Sequence, residues 1–292
     1  MRNEKPLTID EAFLLCKHFN CSLDNLVDED KRFMTFKHFY VGPGAFDKKL
    51  WLSFIDARLQ QISKSKEKQI IYAAKDPPIF QYLQFSEISA FKFFFWEKTL
   101  FHARDLEGKK FRVDWLEPEI VTTCKAISSC ALQIPTIEIW NEDTFRILLR
   151  QIEYYWISGY FESETDFISL IDSIETWLNH NKKQAELGIK YLYGHKPHGI
   201  ENSYTLYENE IVLNDNTISV IQDNRSSVFM TYNVLGLLQS TDETFCKNIQ
   251  EFQKILISKA NLISQVGEKE RNRFFNKLYL AVENLRKSKG LK

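Results

Sequence analysis

The chain has 292 residues, of which 44% are hydrophobic and 26% charged, with a formal net charge of −1. That length leaves room for two domains, and the composition excludes large-scale disorder. Near-neutrality excludes a surface that traps polyanions as a whole, so any nucleic-acid role needs a local basic patch.

Taken in chain order, the first signal is Thr8-Ile9-Asp10-Glu11, which reads as a capping box opening a helix. Ile9, Ala12, Phe13, Cys16 and Phe19 follow at helical spacing, and Asn20 ends the run. Ser22 is placed to cap a second short helix, Leu23 to Val27. From Arg32 to Val41 the β-rich run Phe33, Met34, Phe36, Phe39, Tyr40 predicts a strand, ended by Gly42-Pro43-Gly44. An amphipathic helix with Leu50, Trp51, Phe54, Ile55, Leu59 and Ile62 on one face comes next, and Gln69 to Ala74 is a short apolar strand broken by Asp76-Pro77-Pro78.

Ile79 to His102 predicts a helical block dense in Phe and Trp, and a further helix starts at Pro118, since proline suits a first helical turn. Pro135 breaks that region, and two more helices are expected at Glu142–Ser158 and Ser163–Lys183, with Gly159 between them. No self-similarity at solenoid period is present, so the middle is read as a helical bundle. Beyond Gly194-His195-Lys196-Pro197-His198-Gly199, strands are predicted at Tyr204–Leu213, Ile218–Gln222 and Val228–Tyr232. The gaps Asn214-Asp215-Asn216 and Asp223-Asn224-Arg225 carry turn chemistry for hairpins. Two helices, Asp242–Ser264 and Glu268–Lys287, are expected as an antiparallel hairpin laid on the sheet. The fold class is therefore α+β, mainly helical: a helical bundle plus a small, mainly antiparallel sheet flanked by helices. The two early strands should join the three late ones, because a lone two-stranded ribbon is marginal in water.

The 10 glycines form neither a G-x-x-x-x-G-K-[ST] nor a G-x-G-x-x-G run, so no phosphate cradle is expected. Cys16, Cys21, Cys124, Cys130 and Cys246 make no C-x-x-C pair and are odd in number, which fits reduced thiols in a cytoplasm. The polar start Arg2-Asn3-Glu4-Lys5 does not read as a signal peptide, and the longest apolar burst, Phe93 to Trp96, is far short of a membrane span. The 23 phenylalanines suit an aromatic ligand pocket, or an ordinary core written in AT-rich codons.

Catalytic chemistry finds little support. His195 and His198 are two imidazoles without the further ligands that zinc wants. Glu138, Glu142 and Asp143 around Trp140 could do acid–base work, but Asn141 as a helix cap with acids in the first turn explains them too. His102 has no nucleophile at recognisable spacing. Lys182-Lys183 and the tail from Arg286 to Lys292 serve either a nucleic acid or the end of a helix dipole. The chain is read as a non-enzyme with no cofactor and no metal.

The stretch Pro6 to Leu26 resembles the last two helices of a Cro and lambda-repressor type helix-turn-helix domain, whose wording there is close to E-A-x-x-L-A-x-x-F-x-x-S-x-D-x-L. Glu11-Ala12, Leu15, Phe19, Ser22, Asp24 and Leu26 fit that pattern. The rest, through Ile134-Pro135-Thr136-Ile137-Glu138-Ile139-Trp140, Gly159-Tyr160-Phe161-Glu162 and Gly267-Glu268-Lys269-Glu270-Arg271, is similar to the long C-terminal regions of Bacteroidetes-type helix-turn-helix regulators.

The resemblance implies a transcriptional regulator. Residues 1–30 would be the remnant of the DNA-binding domain and 31–292 a regulatory region, with a helical middle over 79–193 and strands plus a helical hairpin over 200–292. Met1 falls where the groove-reading third helix of that domain should be ending, so the domain is expected to be incomplete. Arg2, Asn3 and Lys5 would contact DNA phosphates, the alternative being a frayed charged terminus. A homodimer is implied, with Phe274, Phe275 and Leu278 as exposed contacts, and a small-molecule effector of unknown identity. The competing expectation is a stand-alone protein that binds a small apolar or aromatic ligand, or a protein partner, without touching DNA.

Overall fold

The computed structural model describes residues 6–19, 23, 34–42, 44, 46–211, 213 and 215–287. The chain divides into two units, residues 1–37 and 38–292.

In the first unit α1 spans Ile9–Phe19. The capping box forms: the Glu11 amide donates to Thr8 Oγ1 at 3.2 Å and the Thr8 amide to Glu11 Oε2 at 3.0 Å. Ala12 and Cys16 are buried, while Ile9, Phe13, Leu14 and Phe19 are exposed. Of the second predicted helix only Leu23 is described; Arg2, Asn3 and Lys5 lie outside the described residues.

The remaining elements are built on one eight-stranded sheet of order β1-β7-β6-β5-β2-β3-β4-β8. The strands are β1 Lys37–Phe39, β2 Lys68–Ala73, β3 Thr136–Trp140, β4 Tyr204–Glu208, β5 Thr217–Gln222, β6 Arg225–Thr231, β7 Leu237–Ser240 and β8 Asn261–Leu262. Around them lie α2 Lys48–Ser63, α3 Ile79–Tyr82, α4 Ser86–Phe95, α5 Pro118–Ala131, α6 Glu142–Ile157, α7 Glu164–Leu187, α8 Glu243–Ser258 and α9 Glu268–Lys287. Nine α-helices among the described residues and a mixed sheet make this an α+β, mainly helical fold.

Local signals set most helix ends. Asp47 Oδ1 accepts from the amides of Lys49 and Leu50 at the start of α2. Asn141 and Thr144 close a reciprocal box on α6, and Pro118 occupies the first turn of α5. Ser163 caps α7, which ends on Gly188 at φ 67°, a left-handed position that costs glycine no Cβ clash.

The middle of the sheet is parallel. Ile70 is opposite Thr136 and Ile139 opposite Ala73 in the β2–β3 pair, and Leu206 is opposite Glu138 in β3–β4. Parallel neighbours need crossovers, and α3 to α5 and then α6 and α7 supply them. In β2, Ile70 and Tyr72 alternate with Ile71 and Ala73 and all four are buried, as expected of a strand covered on both faces. Ala73 and Ile139 meet Leu256 of α8 on one face. Gln253 of α8 also donates to the Ile71 and Thr217 carbonyls at 3.2 Å. Ile70, Tyr72, Trp140, Tyr204 and Leu206 belong to the main core with α2 to α7.

Several expectations need correction. The early and late strands do share one sheet, but the helical middle contributes β3, hidden behind Pro135 and carrying an inward glutamate. Asp223-Asn224 does turn a hairpin, with Asp223 at φ 47°. Asn214-Asp215-Asn216 does not: it joins β4 to β5, which are separated in the sheet by β3 and β2. Neither β7 nor β8 matches an expected strand, and β8 falls within the span expected for the helix Asp242–Ser264, which ends at Ser258. The last two helices form no hairpin either, since α8 lies on β5 and β6 while α9 packs against α6 and α7. Phe274, Phe275 and Leu278, expected as exposed dimer contacts, are fully buried inside the chain by that packing. A second copy therefore has no access to them.

Candidate ligand pocket

Between α2 and the face of β2, β5, β6 and β7 the sheet and helix leave a cavity of about 130 Å³. Its walls are apolar: Trp51, Ile55, Leu59 and Ile62 from α2, and Ile70, Tyr72, Val220 and Phe229 from the strands. Period-2 alternation explains the sheet side, because Ile70 and Tyr72 point the same way, as do Ile218 and Val220. The 3.6-residue stripe of α2 explains the helix side.

A few polar groups interrupt this lining. Lys92, on α4, is 3% exposed, donates from Nζ to Gln151 Oε1 at 3.1 Å and stands 5.2 Å from the Trp96 ring. Burial pulls its pKa below the ordinary lysine value, and the charge of Asp76 partly opposes that shift. Asp76 sits just past the end of β2, where Asn216 Oδ1 accepts from the backbone amides of Lys75 and Asp76 at 2.8 and 3.0 Å. Burial, with Asp76 adding its charge, also pushes the Tyr72 and Tyr82 hydroxyls well above the usual tyrosine range.

Two atoms of the lining residues are sealed from solvent and have no hydrogen-bond partner among the described residues: Asp76 Oδ1, an acceptor, and Trp96 Nε1, a donor. Leaving such groups unsatisfied costs about 1–3 kcal/mol each, which is why native interiors hold few of them. Trp96 also begins a π-helical turn, Trp96–Leu100, whose Phe101 amide reaches the Trp96 carbonyl at 3.0 Å. Single π turns of this kind concentrate at functional sites. At the rim, Arg58 lies over the Phe54 ring at 5.4 Å and reaches Gln239 Oε1 at 3.4 Å.

A second buried polar group lies deeper. Glu138 on β3 is fully buried and accepts from Gln81 Nε2 at 2.7 Å and Trp140 Nε1 at 3.0 Å. Burial raises its pKa, against the lowering influence of those donors and of Lys190. Lys190, also buried, donates to the Ala131 carbonyl at 2.6 Å and to that of Ile134, fastening the end of α5 to the start of β3. Its partners are all structural, so this network holds the scaffold together.

The candidates named from sequence do not converge. Glu142 and Asp143 occupy the first turn of α6, and Glu142 pairs with Arg146 and Lys277, whereas Glu138 faces the core. His102 lines a polar cleft with Glu97 and Lys48, and Lys48 is committed to Glu97 and Glu117 at 3.4 and 3.2 Å. His195 and His198 are exposed in a loop, and no group of three or more His, Cys, Asp or Glu fit to hold a metal occurs among the described residues. Lys183 pairs with Glu186, and Arg286 with Asp172 and Glu175. Cys16 is buried, Cys124, Cys130 and Cys246 are buried free thiols, and no described helix is long and apolar enough to cross a membrane.

Sequence reading missed Lys92 and Asp76. The signal was a single charge inside the run Phe91-Lys92-Phe93-Phe94-Phe95-Trp96, where every neighbour is apolar.

Fold and site together define the class: a mixed-sheet α+β protein with a small, half-open apolar cavity that has a few polar residues in its lining. No protein-family model, no curated protein and no solved structure matches the chain.

Proposed function

We propose that residues 38–292 form a small-molecule-binding body whose ligand occupies the cavity between α2 and the sheet. The observation that carries this reading is the apolar cavity itself, walled by α2 and the strands, with Asp76, Lys92 and Asn216 among its few polar lining residues. Ligand sites are typically concave, mostly apolar, and marked by a small number of placed polar groups. The cavity is close in size to the 150 Å³ engineered cavity known to take up benzene, so a ring-sized guest is expected.

A thermal-unfolding screen with one-ring compounds tests it. A guest at ten times its Kd stabilises by about 1.4 kcal/mol, which is about 3–5 °C in Tm for a body of this size. Val220→Phe, which projects a ring into the cavity, should remove the shift. A shift that persists in Val220→Phe places the binding elsewhere and defeats the proposal.

A second reading, that this body is the sensing part of a transcriptional regulator, is favoured by α1. Its apolar Ile9, Phe13, Leu14 and Phe19 are exposed. In the resembled domain such residues close a hydrophobic core with preceding helices. Under this reading the 292-residue chain binds mixed-sequence duplex DNA weakly, with affinity that collapses between 50 and 200 mM salt. Absence of any binding at 50 mM salt removes it.

A further inference from the structure

The rim of the cavity carries a cation that meets no carboxylate among the described residues. Arg58 projects from α2 and lines the cavity beside Phe54 and Leu59. Its guanidinium reaches across to β7, where Gln239 Oε1 accepts from Nη2 at 3.4 Å, and Gln61 Oε1 accepts from Nη1 at 3.5 Å. Leu237, two residues before Gln239 and so on the same face of β7, lines the cavity too. The guanidinium thus stands between helix and sheet where the two walls part, half-buried and not sealed.

The other arginines withdrawn from the surface are satisfied. Arg146 has Glu142, Arg286 has Asp172 and Glu175, and buried Arg271 donates to the Ile263 and Val266 carbonyls. Arg58 has only two amide oxygens at the outer limit of a hydrogen bond, and the rings of Phe54 and Phe39 at 5.4 and 5.8 Å. A guanidinium presents five donors in a planar fork that matches a carboxylate, so most of that capacity is unspent here.

Charge and shape then point the same way. Arg58 and Lys92 are two cations in the lining against one anion, Asp76, which favours an anionic guest over a cationic one. Behind the rim, Trp51, Tyr72, Phe80 and Phe229 present rings to a space of about 130 Å³, room for one flat ring. A charge carried into that space would lose its water, whereas one held at the half-open mouth keeps part of it.

Resting on the cavity as a binding site, we infer that its guest is a small aryl carboxylate. The ring lies in the apolar space and the carboxylate sits at the mouth on the Arg58 guanidinium. Phenylacetate has that form; phenylacetamide keeps its shape without the charge, and phenethylamine reverses the charge.

The test is calorimetric titration of the full chain with these three compounds at pH 7. Phenylacetate is expected to bind at least about tenfold more tightly than phenylacetamide, the worth of charge-assisted bonds, and more tightly than phenethylamine. Added salt should weaken phenylacetate alone. Arg58→Met keeps the apolar stem and removes the fork, so it should bring phenylacetate down to the level of phenylacetamide and leave phenylacetamide unchanged. Val220→Phe should abolish both. Phenylacetamide or phenethylamine binding as tightly as phenylacetate, or a preference for phenylacetate that survives in Arg58→Met, overturns this inference and leaves the cavity reading standing. Failure of all three to bind overturns both. The wild-type ratio of phenylacetate to phenylacetamide decides the matter even if a variant fails to fold.

Discussion

His180 on α7 should make the protein acid-sensitive well above the range where carboxylates titrate. The ring is 5% exposed, bonds through Nε2 to the Tyr191 carbonyl at 2.9 Å, and is boxed by Tyr191, Tyr193 and Phe85. Burial strips water from the imidazolium and lowers the pKa from 6.5 to about 4, the Tyr191 carbonyl restoring only part of the loss. Between those values the unfolded chain binds the proton and the folded chain does not. Stability therefore falls as pH drops through 6.5 and the loss is complete below about 4. At about 1.4 kcal/mol per pH unit, the histidine accounts for about 2 kcal/mol by pH 5 and about 3 kcal/mol in full. Urea unfolding of wild type and His180→Gln at pH 7.5 and 5.0 measures it, because glutamine keeps a donor for Tyr191 and does not titrate. The wild type should lose about 2 kcal/mol more than the variant over that interval. Equal losses would show that His180 accepts its proton in the fold without cost, and would refute the argument.

Three further outcomes follow from the packing. Leu278→Ala should cost about 2–5 kcal/mol in chemical denaturation, as for a fully buried leucine, with no change in sedimentation of the folded fraction. A shift in oligomeric state at unchanged stability would instead return that residue to an interface. Lys190→Met removes the donor to the Ala131 and Ile134 carbonyls and should cost about 1–3 kcal/mol, the loss for buried acceptors left unsatisfied; unchanged stability contradicts it. Asn216→Ala should cost about 1–3 kcal/mol, because it orphans the Lys75 and Asp76 amides, and hydrogen exchange at those two amides should rise first. Unchanged exchange there would mean that another acceptor holds the turn.

What was legible in the sequence was what short-range chemistry decides. Thr8 with Glu11, Asn141 ahead of α6, Pro118 and Asp223-Asn224 each signal their own turn or cap within four residues, and each is found doing so. Pairing across the sheet is not written locally. Asn214-Asp215-Asn216 looks like any hairpin turn, yet β4 leaves it to neighbour β3 and β8. β3 carries Glu138 into the core, where Gln81 of α3 and Trp140 of the same strand satisfy it, so its pattern does not read as a buried strand. The stripe of α9 announces an apolar face at Phe274 and Leu278 but cannot say that α6 and α7 cover it. The cavity was invisible for the same reason: its walls come from Trp51 through Leu237, and only the folded sheet brings Asp76, Lys92 and Trp96 to one space.

The central claim, that this space receives a small guest, is tested most directly by methyl NMR of the full chain titrated with phenylacetate. Shifts should concentrate on Ile55, Ile62, Ile70, Ile218, Val220 and Leu237, which line the cavity, and leave Ile174 and Leu178, fully buried away from its lining, in place. Shifts scattered over the surface, or confined to residues outside the cavity, would contradict the account.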